Sequence, residues 1–170
     1  MRGAFVILAL AVAASSYSSS SPTGPSKTDP IFVATLLPAN EVPPVTNADG
    51  SSHGNAQVTL LLQRDAAGTI TGANASFDVV LTNFPANTPL IGAHIHRGPV
   101  GISGPIVVSS GLAAGEVTLV NGSGSFTKSN VSVPAGTVQD LMANPGGFYF
   151  NVHTTLNPGG ALRGQLNRLQ

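Results

Sequence analysis

The sequence predicts an all-β fold, an antiparallel β-sandwich or flattened Greek-key barrel of about eight strands. Three observations predict it. From position 31 onward apolar residues recur with a period of two in short runs, which is how a half-buried strand reads. Turn formers punctuate those runs, drawn from 20 glycines and 13 prolines in 170 residues. Charged residues make only 8% of the chain, against about 25% in an ordinary soluble domain, and Val, Thr, Ser and Asn fill the positions where a helical protein carries Glu and Lys.

The same composition excludes several functions. Seven basic side chains balance seven acidic ones, so no cationic surface exists to neutralise nucleic-acid phosphates or to bind an anionic membrane. The chain has no cysteine. Disulfide support and thiol chemistry are therefore absent, and packing, turns or a bound ion must hold an exported fold together.

The elements follow in chain order. Arg2 and the apolar run 4–14 read as a signal peptide over residues 1–15, ending in small residues. The run is far shorter than the about 20 residues that span a bilayer, so no stable membrane anchor is expected after cleavage. Residues 16–30, rich in Ser and Pro, form a linker. The domain covers residues 31–169, and the expected location is secreted or periplasmic.

Residues 31–37 make the first strand. Val58, Leu60 and Leu62 alternate with Gln57, Thr59 and Gln63 in a second, which follows the Asp49-Gly50 turn and a loop containing His53. Asp65 to Gly68 turns the chain into a long third strand, where Ala73, Ala75, Phe77, Val79 and Leu81 share the dry face. Residues 92–97 and 106–109 are the fourth and fifth strands. Residues 116–120 are expected to pair with 123–127 across Asn121-Gly122, a strong hairpin signal. Residues 137–144, free of Gly and Pro, allow one or two helical turns with Val138, Leu141 and Met142 on one side. Strands 148–154 and 161–169 close the domain around the Asn157-Pro158-Gly159-Gly160 turn.

Chemistry points to the histidines, of which there are four. His94 and His96 lie two apart, so a strand places both imidazoles on one face and Ala93 and Ile95 on the other. By the same alternation His153 shares the outer, solvent-facing side of its strand with Tyr149 and Asn151. Adjacent strands would bring three imidazoles together as a metal site suited to copper or zinc, with a coordination position left open; distant strands would leave an ordinary hydrogen-bonded or solvated face. Other constellations carry little: no Ser-His-carboxylate order is signalled, and Glu41, Asp49, Asp65, Asp78, Glu116 and Asp140 are not spaced as a catalytic pair. Arg163, just after the glycine turn, reads as an anion-attracting or carboxylate-pairing group or as a surface arginine.

Three ordered segments carry a resemblance. They are residues 37–45 (LPANEVPPV), 93–98 (AHIHRG), and 150–154 (FNVHT) followed by 158–166 (PGGALRGQL). The chain resembles the CHRD domain family, named from chordin, which implies an extracellular β-rich module; an unidentified protein or glycan partner is the expected binding target. It is more faintly similar to copper,zinc superoxide dismutases. That similarity sets His94, His96 and His153 where three copper-ligating histidines stand and Arg163 where an anion-guiding arginine stands, on a superoxide-dismutase-like fold. No histidine intervenes between His96 and His153, both disulfide cysteines are missing, and the zinc loop is reduced to residues 97–105. The resemblance therefore implies copper without zinc. The functions expected are an exported binding module with a three-histidine site, a copper-dependent oxidoreductase of superoxide dismutase type, or a purely structural or adhesive module.

Overall fold

A computed structural model describes residues 29–169. The signal peptide and nearly all of the linker lie outside the described residues.

Ten strands and one helix follow in order: β1 (Ile31–Leu36), β2 (His53–Arg64), β3 (Ile70–Thr82), β4 (Thr88–Arg97), β5 (Ile106–Ser109), β6 (Thr118–Leu119), β7 (Gly124–Pro134), α1 (Ala135–Ala143), β8 (Phe148–Thr154), β9 (Leu162–Gln165) and β10 (Asn167–Arg168). One sheet has the order β10-β1-β2-β3-β7, and the other runs β5-β4-β8-β9 with β6 attached to β4. Every pairing is antiparallel. The fold is an all-β sandwich, as the alternation predicts.

The core lies between the two sheets. Ala73, Ala75, Phe77, Val79 and Leu81 of β3 are all buried on one face, opposite Ile95, Phe148, Phe150 and Val152 of the second sheet. Phe77 and Phe150 meet across the interface with ring centroids 6.0 Å apart. Helix α1 closes one end by burying Val138 and Leu141.

Four expectations change. The segment around Leu119 does not pair with the strand after Asn121-Gly122. Instead β6 pairs with Thr88 and Pro89 of β4, and β7 pairs with β3. The turn itself forms, with Gly122 at φ 73°, and it carries the chain from one sheet to the other. Phe84 explains that crossing: its N–H donates to the Gly122 carbonyl, and a Cβ at Gly122 would stand 2.1 Å from its carbonyl oxygen.

The last strand also divides, β9 lying in one sheet and β10 in the other around the fully buried Leu166. His53 begins β2 opposite Thr82 rather than sitting in a loop. Finally, the outer face of β8 is not solvent-facing, for all seven of its residues are buried. Two covering segments account for this, residues 38–52 with their two short 3-10 turns and residues 98–105.

Candidate metal centre

Strands β4 and β8 build the centre. In β4, Ala93 and Ile95 are fully buried in the core, which turns His94 and His96 to the opposite face. In β8, Phe148, Phe150 and Val152 do the same for Tyr149, Asn151 and His153. The register sets Gly92 against His153, His94 against Asn151 and His96 against Tyr149. His153 is therefore diagonal to His94, close enough for long side chains to touch.

The imidazoles converge. His94, His96 and His153 each present a ring nitrogen, and the three nitrogens lie within 4.8 Å of one another. His94 Nδ1 is 3.0 Å from His153 Nε2. The second nitrogens are tied down: His96 Nδ1 lies 2.9 Å from the Gly104 carbonyl, and His153 Nδ1 lies 3.0 Å from the Pro158 carbonyl. A carbonyl only accepts, so each Nδ1 carries the hydrogen and each Nε2 keeps its lone pair. This is how metal-ligating histidines are held by their surroundings.

One atom decides whether the residues fit a metal. His96 Nε2 is buried without a hydrogen-bond partner. A lone pair taken out of water and left unpaired costs about 1–3 kcal/mol, and a cation facing His94 Nδ1 and His153 Nε2 as well would satisfy it. The donor set fits a borderline transition metal.

Glycines permit this geometry. A Cβ on Gly92 would stand 3.0 Å from His94 Cε1, so glycine lets that ring lie over its strand without crowding. A Cβ on Gly104 would stand 1.6 Å from the Arg97 carbonyl oxygen, and one on Gly98 would stand 2.6 Å from that of Ile102. The covering segment 98–105 can close over His96 because these two positions lack side chains.

Burial sets the protonation. His94 is pushed down to about 4 by desolvation first, then by the neighbouring His153 and His96. His96 is lowered by desolvation, with the Gly104 carbonyl opposing and the Arg163 charge adding to the fall. Desolvation also lowers His153, against the pull of the Pro158 carbonyl. Neutral imidazole, the ligating form, therefore prevails at neutral pH.

Arg163 is not a surface arginine. It is 2% exposed, its Nη2 donates to the Pro99 and Ile102 carbonyls at 2.9 Å, and its guanidinium lies 3.5 Å from the Tyr149 ring centre. Tyr149 in turn stacks on His96, with centroids 4.8 Å apart. Arg163 thus acts on the histidines through its field rather than by contact. His53 lies on the first sheet and takes no part in the cluster.

The CHRD domain family model matches residues 32–166. The chain belongs to the CHRD domain family. No curated protein and no solved structure gives a significant match. In this CHRD domain the three recognised segments meet in space: Leu37 exchanges backbone hydrogen bonds with Arg163, and Asn40 Nδ2 donates to the Arg163 carbonyl. Two buried polar residues of the CHRD face, Glu41 and Asn151, escape reading from spacing alone. Only their place in the recognised segments marks them. No helix among the described residues is long and apolar enough to cross a membrane.

Proposed function

We propose that this CHRD domain is an exported binding module, secreted or periplasmic, that holds one copper ion on His94, His96 and His153. The observation that carries the reading is the buried, unpartnered Nε2 of His96, in a cluster where His94, His96 and His153 each offer a ring nitrogen within 4.8 Å of the others. Copper is favoured over zinc because nitrogen donors bind it more tightly. The N-terminal signal-type segment supports export, and chordin's binding of growth factors supports a protein partner outside the cell, a glycan being the alternative.

A second reading is a copper-dependent oxidoreductase of superoxide dismutase type. It draws on the open coordination position of a three-nitrogen set and on the Arg163 charge, which reaches His96 and would favour a small anion nearby. Bound copper would supply one-electron redox chemistry there. This chain's residues would hold the ion and exclude water from one side.

Copper titration of residues 26–170 with electron paramagnetic resonance tests both readings. One equivalent should bind with a nitrogen-rich signal, and His94→Ala and His153→Ala should each abolish it. Binding indifferent to His153 would sink the site. Superoxide consumption by the loaded protein, lowered in Arg163→Leu at unchanged copper content, would move the assignment to the oxidoreductase.

A further inference from the structure

Glu41 has no role in the metal centre, yet it is only 7% exposed. Its segment is fastened over the β8–β9 face. Glu41 N–H and Val45 N–H both donate to the Pro38 carbonyl, while Leu37 and Asn40 bind the backbone of Arg163. Gly160, at φ 138°, leaves the room: a Cβ there would meet Glu41 Oε1 at 2.7 Å and the Asn151 amide at 2.7–2.8 Å.

Asn151 Nδ2 donates to Glu41 Oε2 at 3.5 Å. The other two atoms of this pairing, Glu41 Oε1 and Asn151 Oδ1, are buried and have no partner. Both are acceptors when Glu41 is ionised, and no donor among the described residues reaches either. One proton resolves both vacancies. A neutral carboxyl would donate from Oε1 to Asn151 Oδ1 while accepting on Oε2 from Nδ2, closing a two-bond ring.

We propose that Glu41 is protonated in the closed fold and forms a reciprocal acid–amide pair with Asn151, a proton-held latch that keeps the 38–45 segment down. The latch stands where two clefts meet. One, of about 350 Å³, runs between residues 41–47 and 156–160. The other, of about 320 Å³, is bounded by Ala39, Val42, Val100, Arg163 and Gln165. Glu41 lines both, so loss of its proton to solvent frees their shared wall and makes access to the clefts pH-dependent.

The surroundings favour the neutral acid. Burial pushes Glu41 up to about 7, against the opposing field of Arg163 and the Asn151 hydrogen bond. Arg163 is the charged group facing it from β9. On β8 the titratable neighbours of Asn151 turn elsewhere, Tyr149 accepting from Gly104 N–H and His153 facing the Pro158 carbonyl. Asp49, in the adjacent 3-10 turn, commits Oδ2 to Thr154 and Asn157. The 98–101 and 158–160 loops carry no charge.

Only two glutamates occur in the chain, Glu41 and Glu116, so selective ¹³C labelling of glutamate carboxyls gives a direct test on the metal-free protein. One resonance should titrate near neutrality and vanish in Glu41→Gln. The other, from Glu116, should titrate below the usual range because the Lys128 hydrogen bond holds it there. Amide protection of residues 40–45, corrected for intrinsic exchange, should fall at least tenfold between pH 6 and 8.5. In Glu41→Gln, whose amide reproduces the neutral acid's donor, protection should persist. Two carboxyls ionised by pH 6 would overturn the pair and put a water in its place. A neutral carboxyl with protection unchanged across pH would overturn the latch. Neither outcome depends on whether copper binds.

Discussion

Gly92 shows how a missing atom can set a ligand. Alanine there would bring a Cβ to 3.0 Å from His94 Cε1 and 3.4 Å from Nε2, so the ring must give by a few tenths of an ångström, which disturbs its 3.0 Å contact with His153. Gly92→Ala is expected to weaken copper binding at least tenfold, read by competition with a chelator, and to change unfolding free energy by about 1 kcal/mol or less. Unchanged affinity would mean that His94 ligates from another rotamer. Protonation acts on the same side chains. All three imidazoles have folded-state values below the unfolded 6.5, His94 at about 4, so below 6.5 the unfolded chain binds more protons than the fold. The sign follows: their contribution to metal-free stability is intact above pH 6.5 and is lost as pH falls toward 4. Denaturant titrations of wild type and His94→Ala across that window should converge as pH drops.

Strand β3 carries a prediction at the level of the element. Phe77 is fully buried and meets Phe150 across the sandwich. Phe77→Asp places an unpaired carboxylate there, at a cost of several kcal/mol against a total stability of about 5–15, and the domain should lose its near-ultraviolet signal at 25 °C. A soluble, folded variant would contradict the strand's face. That face was legible because alternation is a local property, readable over five residues. The same logic placed His94, His96 and His153 on the outer faces of their strands. Pairing was less legible. Asn121-Gly122 does turn the chain, but a turn signal cannot say which sheet each flank joins, and here the close approach of Phe84 sends them to different sheets. Likewise nothing local to 161–169 marks Leu166 as a crossing between sheets. The cover over the histidines was hidden for a similar reason. Residues 98–105 show no periodicity, and only contacts such as the Gly104 carbonyl on His96 reveal their place. Gly104→Ala should therefore disturb the cover, raising hydrogen exchange around His96 while leaving the β2–β3 amides protected.

The whole molecule holds the centre together, because its histidines come from positions 59 apart in the chain on neighbouring inner strands of one sheet. Each ligand strand is anchored by the core on its reverse face, through Ile95 and Val152. An unfolded chain keeps His94 and His96 near one another but releases His153, so copper held by the three histidines as proposed would bind the fold more tightly than the coil. Binding energy is then folding energy. At copper a hundred times above its dissociation constant the fold would gain about 2.7 kcal/mol, which for a domain of this size would raise the unfolding midpoint by roughly 10 °C. Residual coil binding through the His94–His96 pair lowers that figure. The increase should persist as pH first falls below 6.5, where the folded imidazoles stay neutral, and shrink as pH approaches their lowered folded values, about 4 for His94, where protons and copper compete for the same lone pairs. His153→Ala should abolish it, because fold and coil would then offer copper the same two histidines. Scanning calorimetry of wild type and His153→Ala, each with and without one equivalent of copper at pH 7, decides the matter. A copper-dependent rise of equal size in both proteins would place the stabilising site away from β8.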